Sequence, residues 1–333
     1  MSATPKSRLL LTNLIHPHWQ RSLAEQMEVI VAPRTDGATL IELAREADYI
    51  VVRAPLPEAL FDAAPRLRGV MRHGAGLDMI PLPKASACGV AVANAPGANA
   101  VTVAEYALGQ MLNLARHLAR INQDLRTQGW VTARAHSDHA SELRGKHLVI
   151  VGVGAIGQAL AQICAVGLGM RVIGVNRSLR TDTERITYKP LLEALGLADY
   201  VVVSCPLNDQ TRGLIGAPEL ARMKPGARII NVARGAVIDE PAMIEALANG
   251  QLGGAALDVF TEQPLPDSSP LRAMPQVLLS AHLAGITDES MERMSAMVAA
   301  QLLQMQAGHL PDHLANPEAR QQILARWSQL DAH

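Results

Sequence analysis

The sequence is short of aromatic side chains. Two Phe, three Trp and four Tyr in 333 residues amount to 3%, so any core must be assembled from Ala, Val, Leu, Ile and Met. Cysteine is scarce as well. Cys88, Cys164 and Cys205 are odd in number, far apart and set among small or apolar neighbours. That excludes a disulfide framework and metal-ligand spacing, and it argues for a reducing, cytoplasmic setting. Charge of one sign is not in excess. The formal net charge is −1, which removes the electrostatic basis for binding nucleic acid. No apolar run is long enough for a signal sequence or a membrane span, and no repeat or low-complexity tract occurs. What is abundant is aliphatic. Hydrophobic residues make up 49% and charged ones 18%, over a length sufficient for two domains with a core each.

The aliphatic residues are arranged in short runs at 9–11, 29–31, 49–52, 69–71 and 90–95. Amphipathic stretches such as 39–47 separate them, and this alternation predicts parallel sheets covered by helices. Pro96-Gly97 marks a turn. A helical pattern starts near Thr102, where Thr102 and Glu105 have the spacing of a capping box. Residues 128–144 are polar and aperiodic and read as a surface excursion. Strand-like runs resume at 147–151, 171–175, 200–204, 228–232, 255–259 and 277–280, and 288–305 is again helical. The fold class is α/β, with two doubly wound parallel-sheet domains.

The segment 147–180 carries the most specific signal. An apolar run leads into Gly152-Val153-Gly154-Ala155-Ile156-Gly157, a helical pattern follows, and a second apolar run ends at Asn176-Arg177-Ser178. A GxGxxG between a strand and a helix, with a second strand at βαβ distance, predicts a dinucleotide site. Gly152 permits the tight turn, Gly154 lets backbone approach the pyrophosphate, and Gly157 allows close helix–strand packing. The helix start at Ala155 and Ile156 receives the negative charge.

Several further segments, in one collinear order, resemble the D-isomer-specific 2-hydroxyacid dehydrogenases. They include Arg72-His73-Gly74-Ala75-Gly76-Leu77-Asp78, Pro96-Gly97-Ala98-Asn99, Cys205-Pro206-Leu207-Asn208, Asn231-Val232-Ala233-Arg234-Gly235, Asp258-Val259-Phe260 and Ser280-Ala281-His282-Leu283-Ala284-Gly285. The resemblance implies a Rossmann coenzyme domain (101–288) inserted in a flavodoxin-like substrate-binding domain (1–100 and 289–333). It further implies reduction of a small 2-keto acid of the glyoxylate or hydroxypyruvate kind to the D-2-hydroxy acid, and a homodimer through the Thr102 helix and the loop after it.

By the same resemblance Arg234 grips the substrate's carboxylate and carbonyl, a task suited to its planar fork of donors. His282 protonates the developing alkoxide. Ala75 and Gly76 offer backbone N–H groups to the carboxylate. Cys205, Pro206, Val232, Ala233, Asp258 and Gly285 fall at coenzyme-contacting positions, Asp258 beside the nicotinamide amide. No metal is expected. Two departures from the family pattern stand out. Ala281 replaces a proline before the histidine, which would loosen that turn. Gln263 replaces the glutamate that partners the histidine. Either Glu262 substitutes by a one-residue slip, or Gln263 is a working variant, or no proton is transferred, as in the related formate dehydrogenases; the second is preferred. A corepressor-like nucleotide sensor is the non-enzymatic alternative. Finally, Asn176, Arg177 and Ser178 stand where NAD enzymes carry an acidic residue, which reads as preference for NADP with NAD still usable.

Overall fold

The computed structural model describes residues 6–332. Its chain divides into two units, one running to Asn99 and resuming at Ile286, the other covering Ala100–Gly285. The second junction lies three residues ahead of the expected 288/289. Thr287 caps the helix Asp288–Gln306 through its side chain, accepting from the Ser290 N–H, so the cap travels with its helix.

The first unit contains β1 (Arg8–Leu11), β2 (Glu28–Val31), β3 (Tyr49–Val52), β4 (Gly69–Arg72) and β5 (Ala91–Ala93). They form one parallel sheet in the order β2-β1-β3-β4-β5, the flavodoxin-like arrangement. β3 is buried at every residue, as expected of a strand with helices on both faces. One face packs on Val298, Leu302, Met305 and Trp327 of the C-terminal helices, the other on Leu40, Leu60, Phe61 and Leu67.

The second unit contains β6 (His147–Val151), β7 (Arg171–Val175), β8 (Ile186–Tyr188), β9 (Tyr200–Val203), β10 (Ala227–Asn231), β11 (Leu252–Leu257) and β12 (Val277–Leu279). Their order is β12-β11-β10-β9-β6-β7-β8, all parallel. This is the doubly wound dinucleotide order with one strand added at the edge, and it reverses between β6 and β9. Strand β8 has no counterpart among the sequence-predicted runs, being three residues long with an exposed Thr187 between buried Ile186 and Tyr188.

Two expectations about helices need correction. The helix near Thr102 spans Ala100–Arg116, so Thr102 is its third residue and not its cap; the capping-box spacing is incidental. The segment 128–144 is not irregular throughout, because Trp130–Ala135 is helical and His136–His139 continues as a 3-10 turn. Asp124 accounts for that. It is buried and accepts from Gln128 Nε2 at 2.9 Å and His136 Nε2 at 2.6 Å, a tertiary anchor that no periodicity records.

Candidate active site

In the second unit the predicted residues collect at the carboxyl ends of parallel strands, where ligands bind in such sheets. Gly152 follows β6, Asn176 follows β7, Cys205 follows β9, Arg234 follows β10, Asp258 follows β11 and His282 follows β12. The three glycines of the turn are not equivalent. Gly152 has φ +97°, and a Cβ there would lie 2.5 Å from Cys205 N. A Cβ on Gly157 would lie 2.9 Å from Gly152 O. On Gly154, by contrast, it would meet nothing within 4 Å. Two glycines are therefore required by the protein's own packing, while the third faces open space at the N-cap of the helix Ala155–Gln162, which has no side-chain cap. Unpaired N–H groups with room in front of them suit a pyrophosphate.

Beside this turn is a cavity of about 890 Å³ lined by Val175, Asn176, Arg177, Ser178, Leu191 and Pro206 among others. Asn176 Oδ1 accepts the Val153 N–H at 2.8 Å, and its Nδ2 is buried without a partner among the described residues. Arg180 donates to Val153 O at 3.1 Å, bringing a second cation to the turn. Arg177 and Ser178 are exposed on the rim. Burial pushes the Cys205 thiol up to about 11, so it stays neutral and serves packing.

On the other side of the sheet, three loops are tied to one another. Asn231 is buried and clamps the turn after β10, accepting from Ala233 N and donating to Arg234 O, both at 3.0 Å. Gly235 then packs so tightly that a Cβ would lie 2.0 Å from Phe260 C. The Arg234 turn thus sits against the segment that leads to Gln263. Asp258, 2% exposed, spends both carboxylate oxygens on the loop after β12, accepting from Ser280 Oγ at 2.6 Å, Leu283 N at 2.9 Å and Ala284 N at 2.8 Å. Its carbonyl accepts the His282 N–H at 2.9 Å.

This cradle holds His282 at φ +54°, a left-handed conformation that costs a non-glycine residue about 1 kcal/mol or more. The turn is fixed from Asp258, so Ala281 does not leave it loose. The residue expected beside the coenzyme's amide has a structural task as well. His282 Nδ1 lies 3.3 Å from Gln263 Oε1, whereas no hydrogen bond among the described residues joins Glu262 to the ring. Gln263 is thus the histidine's partner, and the one-residue slip is corrected. Ser280 is also bonded to the Tyr106 hydroxyl, a link from the helix Ala100–Arg116 that sequence reading missed.

In the first unit, Ala75 and Gly76 follow β4. No hydrogen bond among the described residues uses their N–H groups. The neighbouring His73 is buried and bonds Ser295 Oγ through Nε2 at 2.8 Å. Burial, then Arg53 and Arg72, pushes it down to about 3, so it is neutral. Among the described residues no group of His, Cys, Asp or Glu has the arrangement of a metal site, and no helix is long and apolar enough to cross a membrane.

Residues 108–284 match the family described as D-isomer specific 2-hydroxyacid dehydrogenase, NAD binding domain. The chain belongs to this family. A glyoxylate reductase of Korarchaeum cryptofilum is 34% identical over 285 residues, covering 84% of this chain and 86% of the relative. Among solved structures, the NADPH-dependent glyoxylate/hydroxypyruvate reductase of Sinorhizobium meliloti, in complex with NADP and malonate, superposes with a TM-score of 0.82 at 30% identity, covering 93% of this chain and 97% of that one. The NAD-dependent formate dehydrogenase of Staphylococcus aureus with NAD gives 0.81 at 26%, covering 91% and 96%. This 2-hydroxyacid dehydrogenase is an NAD(P)-dependent oxidoreductase, and the open Gly154, the uncapped helix start and the adjoining cavity fit the dinucleotide.

Two substitutions separate packing from binding. Gly235→Ala should lower stability by about 2–3 kcal/mol through overpacking, seen as a reduced melting temperature. Gly154→Ala should leave the melting temperature unchanged and weaken coenzyme binding at least about tenfold, measured by fluorescence titration, because the new methyl occupies ligand space. His73 gives a third expectation. A folded-state value of about 3 against about 6.5 when unfolded means that its contribution is complete above the higher value and is lost as pH falls toward the lower. The melting temperature should drop on acidification through that window, less steeply in His73→Gln.

Proposed function

We propose that this dehydrogenase reduces a small 2-keto acid, glyoxylate or hydroxypyruvate in type, to the D-2-hydroxy acid, with NADPH preferred over NADH. The observation that carries the reading is the convergence of the Arg234 turn, Gln263 and His282 on adjoining loops after β10, β11 and β12. The glyoxylate reductase relative and the NADP-bound neighbour support the substrate class and the coenzyme.

The reduced nicotinamide supplies the hydride. Arg234 binds the carboxylate and polarises the carbonyl with a bidentate fork. Within the first unit, the Ala75 and Gly76 N–H groups are donors suited to a substrate carboxylate. Gln263 accepts from His282 Nδ1, which leaves Nε2 to carry the proton that finishes the alkoxide. An amide orients the ring without adding charge, whereas a carboxylate would favour the imidazolium.

NADP preference rests on Asn176. With Oδ1 taken by Val153, only its N–H donors remain for a ligand, and donors suit a 2′-phosphate where a carboxylate would suit ribose hydroxyls. Arg177 and Ser178 complete the phosphate site. Val101 and Leu112 are exposed on the helix Ala100–Arg116, and Leu118, Leu125, Trp130 and Val131 on the helices after it; exposed apolar side chains of this kind support a homodimer through that helix and the segment after it, and the cysteine content supports a cytoplasmic location. The His282–Gln263 pair also favours a second reading, a formate-type oxidation without proton transfer. Turnover of glyoxylate, hydroxypyruvate and formate with each coenzyme, followed at the nicotinamide absorbance, separates the two. Activity on formate alone would overturn the first.

Two variants probe the roles. Gln263→Glu should hold the His282 proton to higher pH, so the alkaline limb of keto-acid reduction moves upward; an unchanged profile removes Gln263 as the partner. Arg177→Ala should raise the KM for NADPH about ten- to a hundredfold, the loss of one charged hydrogen bond, with that for NADH changed less than about twofold. Equal effects on both coenzymes would remove the phosphate contact.

A further inference from the structure

The turn after β4 has an unusual distribution of hydrogen bonds. Four consecutive carbonyls are capped from within the first unit. His73 O accepts from Arg72 Nη1 at 2.7 Å and Gly76 O from Arg72 Nε at 3.0 Å. Gly74 O accepts the Ala95 N–H at 2.9 Å, and Ala75 O accepts Asn94 Nδ2 at 2.7 Å. A trans peptide is planar, with its C=O and N–H pointing in opposite directions. Fixing the Gly74 carbonyl toward Ala95 therefore turns the Ala75 N–H the other way. Fixing the Ala75 carbonyl toward Asn94 does the same to the Gly76 N–H. Neither N–H is used by a described residue.

We propose that Asn94 is a positioning residue for the substrate carboxylate, acting by holding the Ala75–Gly76 peptide with its N–H directed outward. This rests on the reading that the turn binds the carboxylate. The Asn94 side chain is itself placed by tertiary structure. Its backbone carbonyl accepts Gln301 Nε2 at 2.9 Å, and Gln301, buried on the helix Asp288–Gln306, accepts the His313 N–H at 2.9 Å through Oε1. The flanks of the turn are held separately, by Arg72 and by the His73–Ser295 bond. Without the Asn94 cap, the Ala75–Gly76 peptide is the one free to rotate, because its carbonyl has no other partner in the turn. An unheld peptide presents its oxygen to the anion for part of the time, which weakens binding without touching the groups that move the proton.

The test uses the intact enzyme with Asn94→Ala and Asn94→Asp, the second keeping the size but replacing the donor by an acceptor that faces the Ala75 carbonyl. The expected result is a rise of about tenfold in the glyoxylate KM for Ala and more for Asp, with kcat and the NADPH KM within about twofold, the pattern of lost uniform binding. Oxalate binding by calorimetry should weaken in the same order and needs no turnover. Unchanged oxalate affinity in both variants overturns the inference, as does a parallel fall of kcat, both KM values and melting temperature, which marks a merely structural role. A wild-type enzyme that binds no oxalate overturns it as well. Failure to reduce any 2-keto acid while oxalate binding follows the expected order counts against the proposed reaction instead.

Discussion

The buried carboxylate of Asp258 is the interaction on which the chemistry-bearing part of the second unit depends. It follows β11, is almost fully removed from solvent, and receives three donors from the loop after β12. A buried carboxylate without such partners would be prohibitively costly. The loop therefore cannot relax away without stranding the charge, and this coupling keeps His282 in a backbone conformation that it would not adopt alone. On the other flank, the absence of a side chain at Gly235 lets the Arg234 turn press against the Phe260–Thr261 backbone. The histidine, its amide partner and the arginine turn are thus held by one carboxylate and one missing methyl group.

The coenzyme turn follows a different logic. Gly152 and Gly157 are glycine because the protein itself fills the space, one at the point where β6 and β9 part and the other where the helix meets the strand. Gly154 is glycine although the protein leaves its surroundings empty. Set at an uncapped helix start, that open space fits a pyrophosphate. The orphaned Asn176 Nδ2 carries the same message on the adenosine side. The first unit repeats it in backbone form, with carbonyls capped inward and two N–H groups left over.

Much of this architecture was legible in the sequence. Strands buried on both faces read as unbroken aliphatic runs, and eleven of the twelve strands among the described residues announced themselves in this way. The exception, β8, lies at a sheet edge with an exposed polar residue in its middle, so no unbroken aliphatic run marks it. Thr102 misled because capping spacing is local, while the helix start is decided by packing two residues earlier. Gln263 was preferred over Glu262 as the histidine's partner from the sequence, but only the loop's path brings its side chain to the ring. Ser280 stood in a family-like segment without any sign of its task, and Asn94 carried no signal beyond being a small polar residue after a strand, since their partners lie in distant segments.

By itself the sequence determined the periodic features, the parallel α/β class and the position of the glycine turn, because each follows from residue type and local spacing, while the arginine and histidine stood out only through the resemblance to a family. Tertiary structure alone decided which polar groups are spent on the protein and which are left for a ligand. That distinction depends on where donors and acceptors from remote parts of the chain come to rest, and local spacing holds no record of it.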